Sequence, residues 1–168
     1  MIQENSTNSS HVFITPAGML DHWQGHRRLT RKVLEVYPED KMDDYSIGGM
    51  RPFSTLILEL LTMAAPTLRG FVTGVWEKQE NFLHRSGKKF TKKELLEMWD
   101  QTTEEMNTLW PQLEPSRFAE KEKAFGQWED TLHGLILYLV DNEIHHRGQA
   151  YVYLRSLGIE PPHFWDRS

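Results

Sequence analysis

The residues that could do chemistry lie on one helical segment near the C-terminal end of the sequence. Asn142 and His146 are four residues apart, so they share one face of a helix, one turn above each other. Both interrupt the apolar seam of that segment, and burying an unpaired amide or imidazole costs on the order of 1–3 kcal/mol. We therefore expect each of them to have a partner, which could be a neighbouring helix, water or a metal ion.

Glu59 is the second candidate, because it is the one carboxylate within Leu56–Leu61, an otherwise apolar run. Since a full helical turn around it is apolar, we expect Glu59 to be protonated or paired. Facing His146, it could share a metal ion, accept a hydrogen bond from an imidazolium or act as a general base. The residues alone leave three interpretations open: a polar cluster that fixes helix register, a metal site, and a cavity for a small molecule.

Three further polar residues are pocket-lining candidates, namely His26, His145 and Gln149. His26 falls on the apolar stripe of the first helix, so it either lines the site or packs between helices. His145 and His146 are adjacent on a helix and point about 100° apart, so they are not expected to coordinate the same metal ion. Gln149 could hydrogen-bond a ligand or hold His145. His84 lies in a connecting segment, where a surface or packing role is expected.

The composition excludes several classes of protein. The chain has 168 residues, a formal charge of −5 and no cysteine. The lack of cysteine excludes a disulfide scaffold, a thiolate zinc site and a cysteine nucleophile. The mildly acidic balance argues against nucleic-acid binding. We find no apolar run near the roughly 20 residues of a membrane span and no secretory signal. A cytoplasmic protein without a membrane partner is therefore expected.

Four long helical patterns must position the candidate residues. Apolar residues recur at steps of three and four over about 18–37, 52–77, 92–110 and 128–157. Thr91 followed by Glu94 predicts a capping box at the start of the third helix. Residues 1–16 indicate an N-terminal arm, and residues 114–126 a charged crossover with room for short extended pieces. The pattern predicts one all-α domain over residues 1–168, a four-helix bundle.

The C-terminal part of the sequence resembles the signature of the DinB/YfiT-like superfamily. That signature is His-x-x-x-His-Arg-Gly-Gln followed by a Leu-Arg and a Gly-x-x-x-Pro ending. Residues 141–149 here read Asp-Asn-Glu-Ile-His-His-Arg-Gly-Gln, and the ending matches at residues 153–162. Residues 51–53, Arg-Pro-Phe before the second helix, are also similar to the family. The resemblance covers essentially the whole chain, and its most specific part is His-His-Arg-Gly-Gln.

The resemblance implies a four-helix bundle with a divalent metal ion held by three side chains. One ligand comes from the second helix and two from the fourth, which on this sequence are Glu59, Asn142 and His146. Family members usually have His at the first two positions, so this chain departs from the pattern twice. A Glu is an acceptable ligand, whereas an Asn is a weak donor that lowers the expected affinity for Zn or Ni.

The resemblance also implies an activity. Characterised relatives include metal-dependent thiol S-transferases that use low-molecular-weight thiols, and many members form dimers. The implied function is a metal-dependent thiol S-transferase or related hydrolase, with a small-molecule substrate, a homodimeric state and no assigned catalytic residue. A non-catalytic small-molecule-binding or stress-response bundle that has lost its metal is the alternative. In that case Glu59 and His146 would form a hydrogen-bonded pair at the floor of a pocket.

Overall fold

Four α-helices account for most of residues 13–168, which are the residues that the structure, a computed structural model, describes. They are α1 (Pro16–Val36), α2 (Phe53–Thr73), α3 (Lys92–Leu109) and α4 (Leu132–Ser156). The predicted all-α four-helix bundle is confirmed. Most of the predicted N-terminal arm, residues 1–12, lies outside the described residues.

Local sequence features set the ends of the helices. The Thr15 hydroxyl accepts a hydrogen bond from the amide of Gly18 at 3.0 Å and so caps the start of α1. Thr91 and Glu94 form the predicted capping box on α3. Gly74 ends α2 in the left-handed conformation at a φ of 70°, a few residues before the predicted end.

A short antiparallel hairpin replaces the predicted first turn of the fourth helix. Strand β1 (Lys121–Ala124) pairs with β2 (Trp128–Thr131), so extended structure does occur in the crossover. The helix begins only at Leu132, because the Thr131 hydroxyl caps it by accepting a hydrogen bond from the amide of Gly134 at 3.2 Å. Trp128, which the periodicity assigned to the buried seam, lies on β2 and is 41% exposed. That assignment was wrong because helical periodicity does not register strand pairing.

The contacts between helices determine where the candidate residues can meet. α4 packs against both α1 and α2, and α3 packs against the same two helices. The apolar core is divided into two clusters: on α4 the first ends at Val140 and the second begins at Ala150. On α1 the corresponding gap runs from Trp23 to Val33. Polar residues of α1 and α4 fill the layer between the two clusters.

One helix of the described part of the chain, α2, is long and apolar enough to span a membrane by length and composition alone. The sequence analysis found no apolar run near the length of a membrane span, and α2 corrects that prediction. In the structure 67% of its most apolar window is buried inside the bundle. Such burial is typical of a core helix.

Candidate functional site

α2 and α4 bring Glu59 and His146 together. Oε1 of Glu59 lies 3.1 Å from Nε2 of His146, and the two side chains are only 17% and 5% exposed. Burial raises the pKa of Glu59, but hydrogen bonds from His146 and Arg51 outweigh that effect and hold the pKa at about 2. The sequence predicted that Glu59 is either protonated or paired, and in the structure it is paired.

Arg51 completes the site, although sequence reasoning did not assign it there. Its Nη1 donates to Oε2 of Glu59, and its Nη2 lies 3.4 Å from Nε2 of His146. The segment before α2 carries Arg51, and the hydroxyl of Tyr153 on α4 donates to the backbone oxygen of Arg51 at 2.8 Å. The Arg51 side chain is 45% exposed, so the guanidinium covers the Glu59–His146 pair on its solvent side.

The other predicted site residues differ in their contacts. Gln149 contacts the second nitrogen of the His146 ring: Oε1 of Gln149 lies 2.9 Å from Nδ1 of His146. It therefore contacts His146 rather than His145, which is exposed. Asn142 is half-buried one turn away on α4. Within residues 13–168 its side chain makes no hydrogen bond to Glu59 or His146.

His84 belongs to the connecting segment between α2 and α3, and the charges of the site residues reach its ring. Burial is the main cause that lowers its pKa, and the charges of Glu59, Arg51 and His146 also act on it. Its Nδ1 is buried and has no hydrogen-bond partner among the described residues. The ring packs beside Phe82, with the two ring centroids 5.6 Å apart, in agreement with the packing role expected from the sequence.

His26 belongs to a different polar cluster, between α1 and α4. Arg147 lies with Nη2 2.8 Å from Nδ1 of His26 and donates from Nη1 to the Thr30 hydroxyl at 3.0 Å. That hydroxyl donates in turn to Oε1 of Glu143 at 2.6 Å, and Trp23 donates to Oε2 at 3.3 Å. Within residues 13–168 His26 makes no hydrogen bond to Glu59 or His146, and Arg147 lies 3.9 Å from Glu143.

Arg27 adjoins the same cluster and corrects another expectation. Because Arg27 lies opposite the apolar stripe of the first helix, its position predicts a solvated face. In the structure the side chain is fully buried, with its guanidinium 4.0 Å from the centre of the Trp99 ring. It donates from Nε to Thr103 at 3.1 Å and from Nη2 to the backbone oxygen of Trp99 at 3.2 Å. Burial lowers the pKa of Arg27 to about 10, so it stays charged at neutral pH.

The donor set can be tested against the metal ion that the resemblance implies. Glu59 and His146 supply two strong donors that converge, and Asn142 offers a weak one. Across residues 13–168 no group of three His, Cys, Asp or Glu side chains could hold an ion. The guanidinium of Arg51 contacts both strong donors and already supplies a positive charge there. In this arrangement the donor set does not fit a tightly bound divalent ion.

A four-helix bundle with a carboxylate–imidazole centre between its second and fourth helices is the class that the fold and the site define. The sequence profile of the DinB family matches residues 1–166, and the chain belongs to that family. The resemblance drawn from residues 141–149 is thereby confirmed.

Solved structures agree on the fold. A DinB-like protein from Bacillus cereus ATCC 10987 is similar with a TM-score of 0.73 and 16% identity, over 92% of this chain and 100% of that one. The DinB-like protein YjoA from Bacillus subtilis has a TM-score of 0.66 and 20% identity, over 87% of this chain and 96% of that one. No curated protein gives a match.

Proposed function

We propose that this DinB-family chain is a small-molecule-binding bundle in which Arg51 takes the place of the divalent cation. The observation that carries the proposal is the contact of one guanidinium with both Glu59 and His146. A buried carboxylate needs a counter-charge, and a paired guanidinium meets that need without a metal. Among residues 13–168 the remaining N–H groups of Arg51 have no partner, so they can meet a polar ligand from the solvent side.

The charges of the site indicate what kind of ligand it suits. Glu59 is ionised and neutralises Arg51, so the ligand does not have to bring a charge of its own. The Arg51 side chain is 45% exposed, so a ligand can reach the pair from solvent. We infer that a small, polar, uncharged or zwitterionic molecule fits the site best.

A metal-dependent thiol S-transferase or related hydrolase is the second candidate, and one observation favours it. Oε1 of Glu59 and Nε2 of His146 lie 3.1 Å apart, a separation that two ligands of one zinc ion can adopt. A bound ion would lower the pKa of a thiol or water. The half-exposed Arg51 would then have to leave the two donors.

Metal content separates the two candidates. The wild-type chain, purified without a nickel column, should contain well below one Zn or Ni per chain, and chelator should leave its melting temperature unchanged. Arg51→Met combined with Asn142→His removes the guanidinium and creates a His-x-x-x-His pair, so this double variant should gain zinc binding and a higher melting temperature with zinc.

Arg155→Met is the matched control, because Arg155 is exposed on α4 and its loss should change neither quantity. One metal ion per wild-type chain that Glu59→Gln and His146→Ala both remove would reject the proposal in favour of the metal enzyme. A metal-stimulated reaction of glutathione with an alkylating electrophile would do the same.

The homodimer and the cytoplasmic location that the sequence analysis implied stay part of the proposal. Light scattering of the purified full chain should give about twice the 19.8 kDa chain mass. A monomer at micromolar concentration would remove the dimer from it without affecting the assignment of Arg51.

A further inference from the structure

A second cleft shares no lining residue with the Glu59–His146 site. It has a volume of about 220 Å³ and lies between α1, α4 and the C-terminal tail, residues 157–168. α1 contributes His26, the tail contributes Arg167, and α4 contributes Arg147, Gly148 and Tyr151.

The tail is attached to α1 by specific contacts. Nε of Arg28 donates to the backbone oxygen of Arg167 at 2.7 Å, and Nζ of Lys32 lies 2.9 Å from Oδ2 of Asp166. The aliphatic part of the Arg167 side chain packs beside Gly25. These contacts fix the position of one cleft wall.

Two guanidinium groups at this cleft have unused hydrogen-bond capacity. Arg147 is 7% exposed, and three of its five N–H groups reach His26 and Thr30, so Nε–H and one Nη2 hydrogen remain. The Arg167 side chain has neither a hydrogen bond nor an ion pair within the described part of the chain. Burial and the charges of both arginines lower the pKa of His26 to about 3, so His26 is neutral.

The rest of the cleft adds a donor and space. The Tyr151 hydroxyl is buried and has no hydrogen-bond partner in residues 13–168. Burial raises its pKa, so it is a phenol that can donate. A Cβ added at Gly148 would meet no atom within 4 Å, so the space beside Arg147 is open. Unpaired donors around an open space are expected where a ligand supplies the missing acceptors.

We propose that this cleft binds a small molecule through an oxyanion group, a phosphate or a carboxylate, between Arg147, Arg167 and Tyr151. Guanidinium groups present paired N–H donors that match both kinds of oxyanion. Ile144 and Phe164 line the same cleft and are 40% and 64% exposed. They offer apolar contact to the remainder of the ligand, so the ligand class is an organic anion with a small apolar group.

Calorimetric titration of the full chain at constant ionic strength tests the proposal with three probes: phenyl phosphate, benzoate and inorganic phosphate. Phenyl phosphate or benzoate should bind at one site per chain, and the stronger of them identifies the oxyanion. Inorganic phosphate should bind more weakly than phenyl phosphate, because it lacks the apolar group. If inorganic phosphate binds as well as phenyl phosphate, the apolar contact assigned to Ile144 and Phe164 is wrong.

Variants locate the binding. Arg167→Met should weaken it by roughly tenfold or more, the loss expected for one charge-assisted hydrogen bond. Gly148→Met keeps every charge, places a good helix former on α4 and should block the cleft while the melting temperature is retained. Arg85→Met, which removes an exposed charge outside the cleft, should leave the affinity unchanged. A loss of affinity on Arg51→Met with none on Arg167→Met would place the anion at the Glu59–His146 site and overturn the proposal.

Two further results would overturn the proposal: no saturable binding of any probe, or equal losses for Arg85→Met and Arg167→Met, which would indicate unspecific attraction to positive charge. Because Arg167→Met and Gly148→Met change the cleft and metal content reports on the Glu59–His146 site, failure at one site is distinguishable from failure at the other.

Discussion

Replacing Glu143 with alanine should destabilise the protein more than any other single carboxylate loss in the bundle. The Glu143 side chain is 2% exposed and accepts hydrogen bonds from Thr30 at 2.6 Å and from Trp23 at 3.3 Å. Burial raises its pKa, and the charges of Arg27 and Arg147 oppose that effect. Alanine would leave two buried guanidinium groups without their shared counter-charge.

The magnitude follows from these contacts. Removing one partner of a buried ion pair costs about 3–5 kcal/mol, because the remaining charge is left unsatisfied. With a urea m-value of about 2 kcal/mol per molar, the unfolding midpoint should fall by about 1.5–2.5 M. Equilibrium unfolding in urea at pH 7, followed by far-ultraviolet circular dichroism, measures that shift directly.

Two further variants make the result interpretable. Asp141→Ala removes an exposed carboxylate two residues away and should change the free energy of unfolding by about 0.5 kcal/mol or less. Glu143→Ala combined with Arg147→Met should cost less than the sum of the two single changes, since the double variant leaves fewer unpaired charges. A loss below about 1 kcal/mol for Glu143→Ala would refute the view that Glu143 is the counter-charge of the two arginines.

Two other predictions concern α2 and α4. The pKa of Glu59 is lowered from 4.5 to about 2, so its contribution of about 3 kcal/mol is present above pH 4.5 and is lost as the pH falls towards 2. The stability difference between wild type and Glu59→Gln in urea titrations should therefore shrink over that range, and a constant difference would contradict the pairing. Leu139 is buried in the first core cluster, so Leu139→Ala should cost about 2–5 kcal/mol in the same assay; below about 1 kcal/mol, the seam of α4 would have to face outward.

Sequence alone predicted the parts of the molecule that depend on one helix at a time. The spacing of apolar residues on each helix predicted the four-helix bundle, and the Thr91–Glu94 pair predicted the start of α3. The pairing of Glu59 was also predictable, because an ionised carboxylate within an apolar turn needs a partner. His146 followed as that partner from its place on the seam of α4.

The parts that sequence could not predict depend on where separate segments meet. Arg51 lies in a connecting segment, whose position relative to α2 and α4 is set by packing and not by periodicity. Arg27 looked like a surface residue because it lies opposite the apolar stripe of the first helix, yet the ring of Trp99 on α3 offers it a buried stacking partner. Strand pairing between β1 and β2 likewise has no helical periodicity to reveal it.

The family-like sequence on α4 serves two separate clusters, because adjacent helical residues point about 100° apart. His146 and Gln149 are three residues apart and face α2, where they meet Glu59. Glu143 and Arg147 are four residues apart and face α1, where they form the buried polar layer between the two apolar clusters. The Arg147 part of this sequence thus has a structural role that needs no metal. A match to the family signature therefore indicates the bundle and its polar layer more strongly than it indicates a metal ion. Whether an ion binds depends on the side chains at positions 59 and 142 and on Arg51.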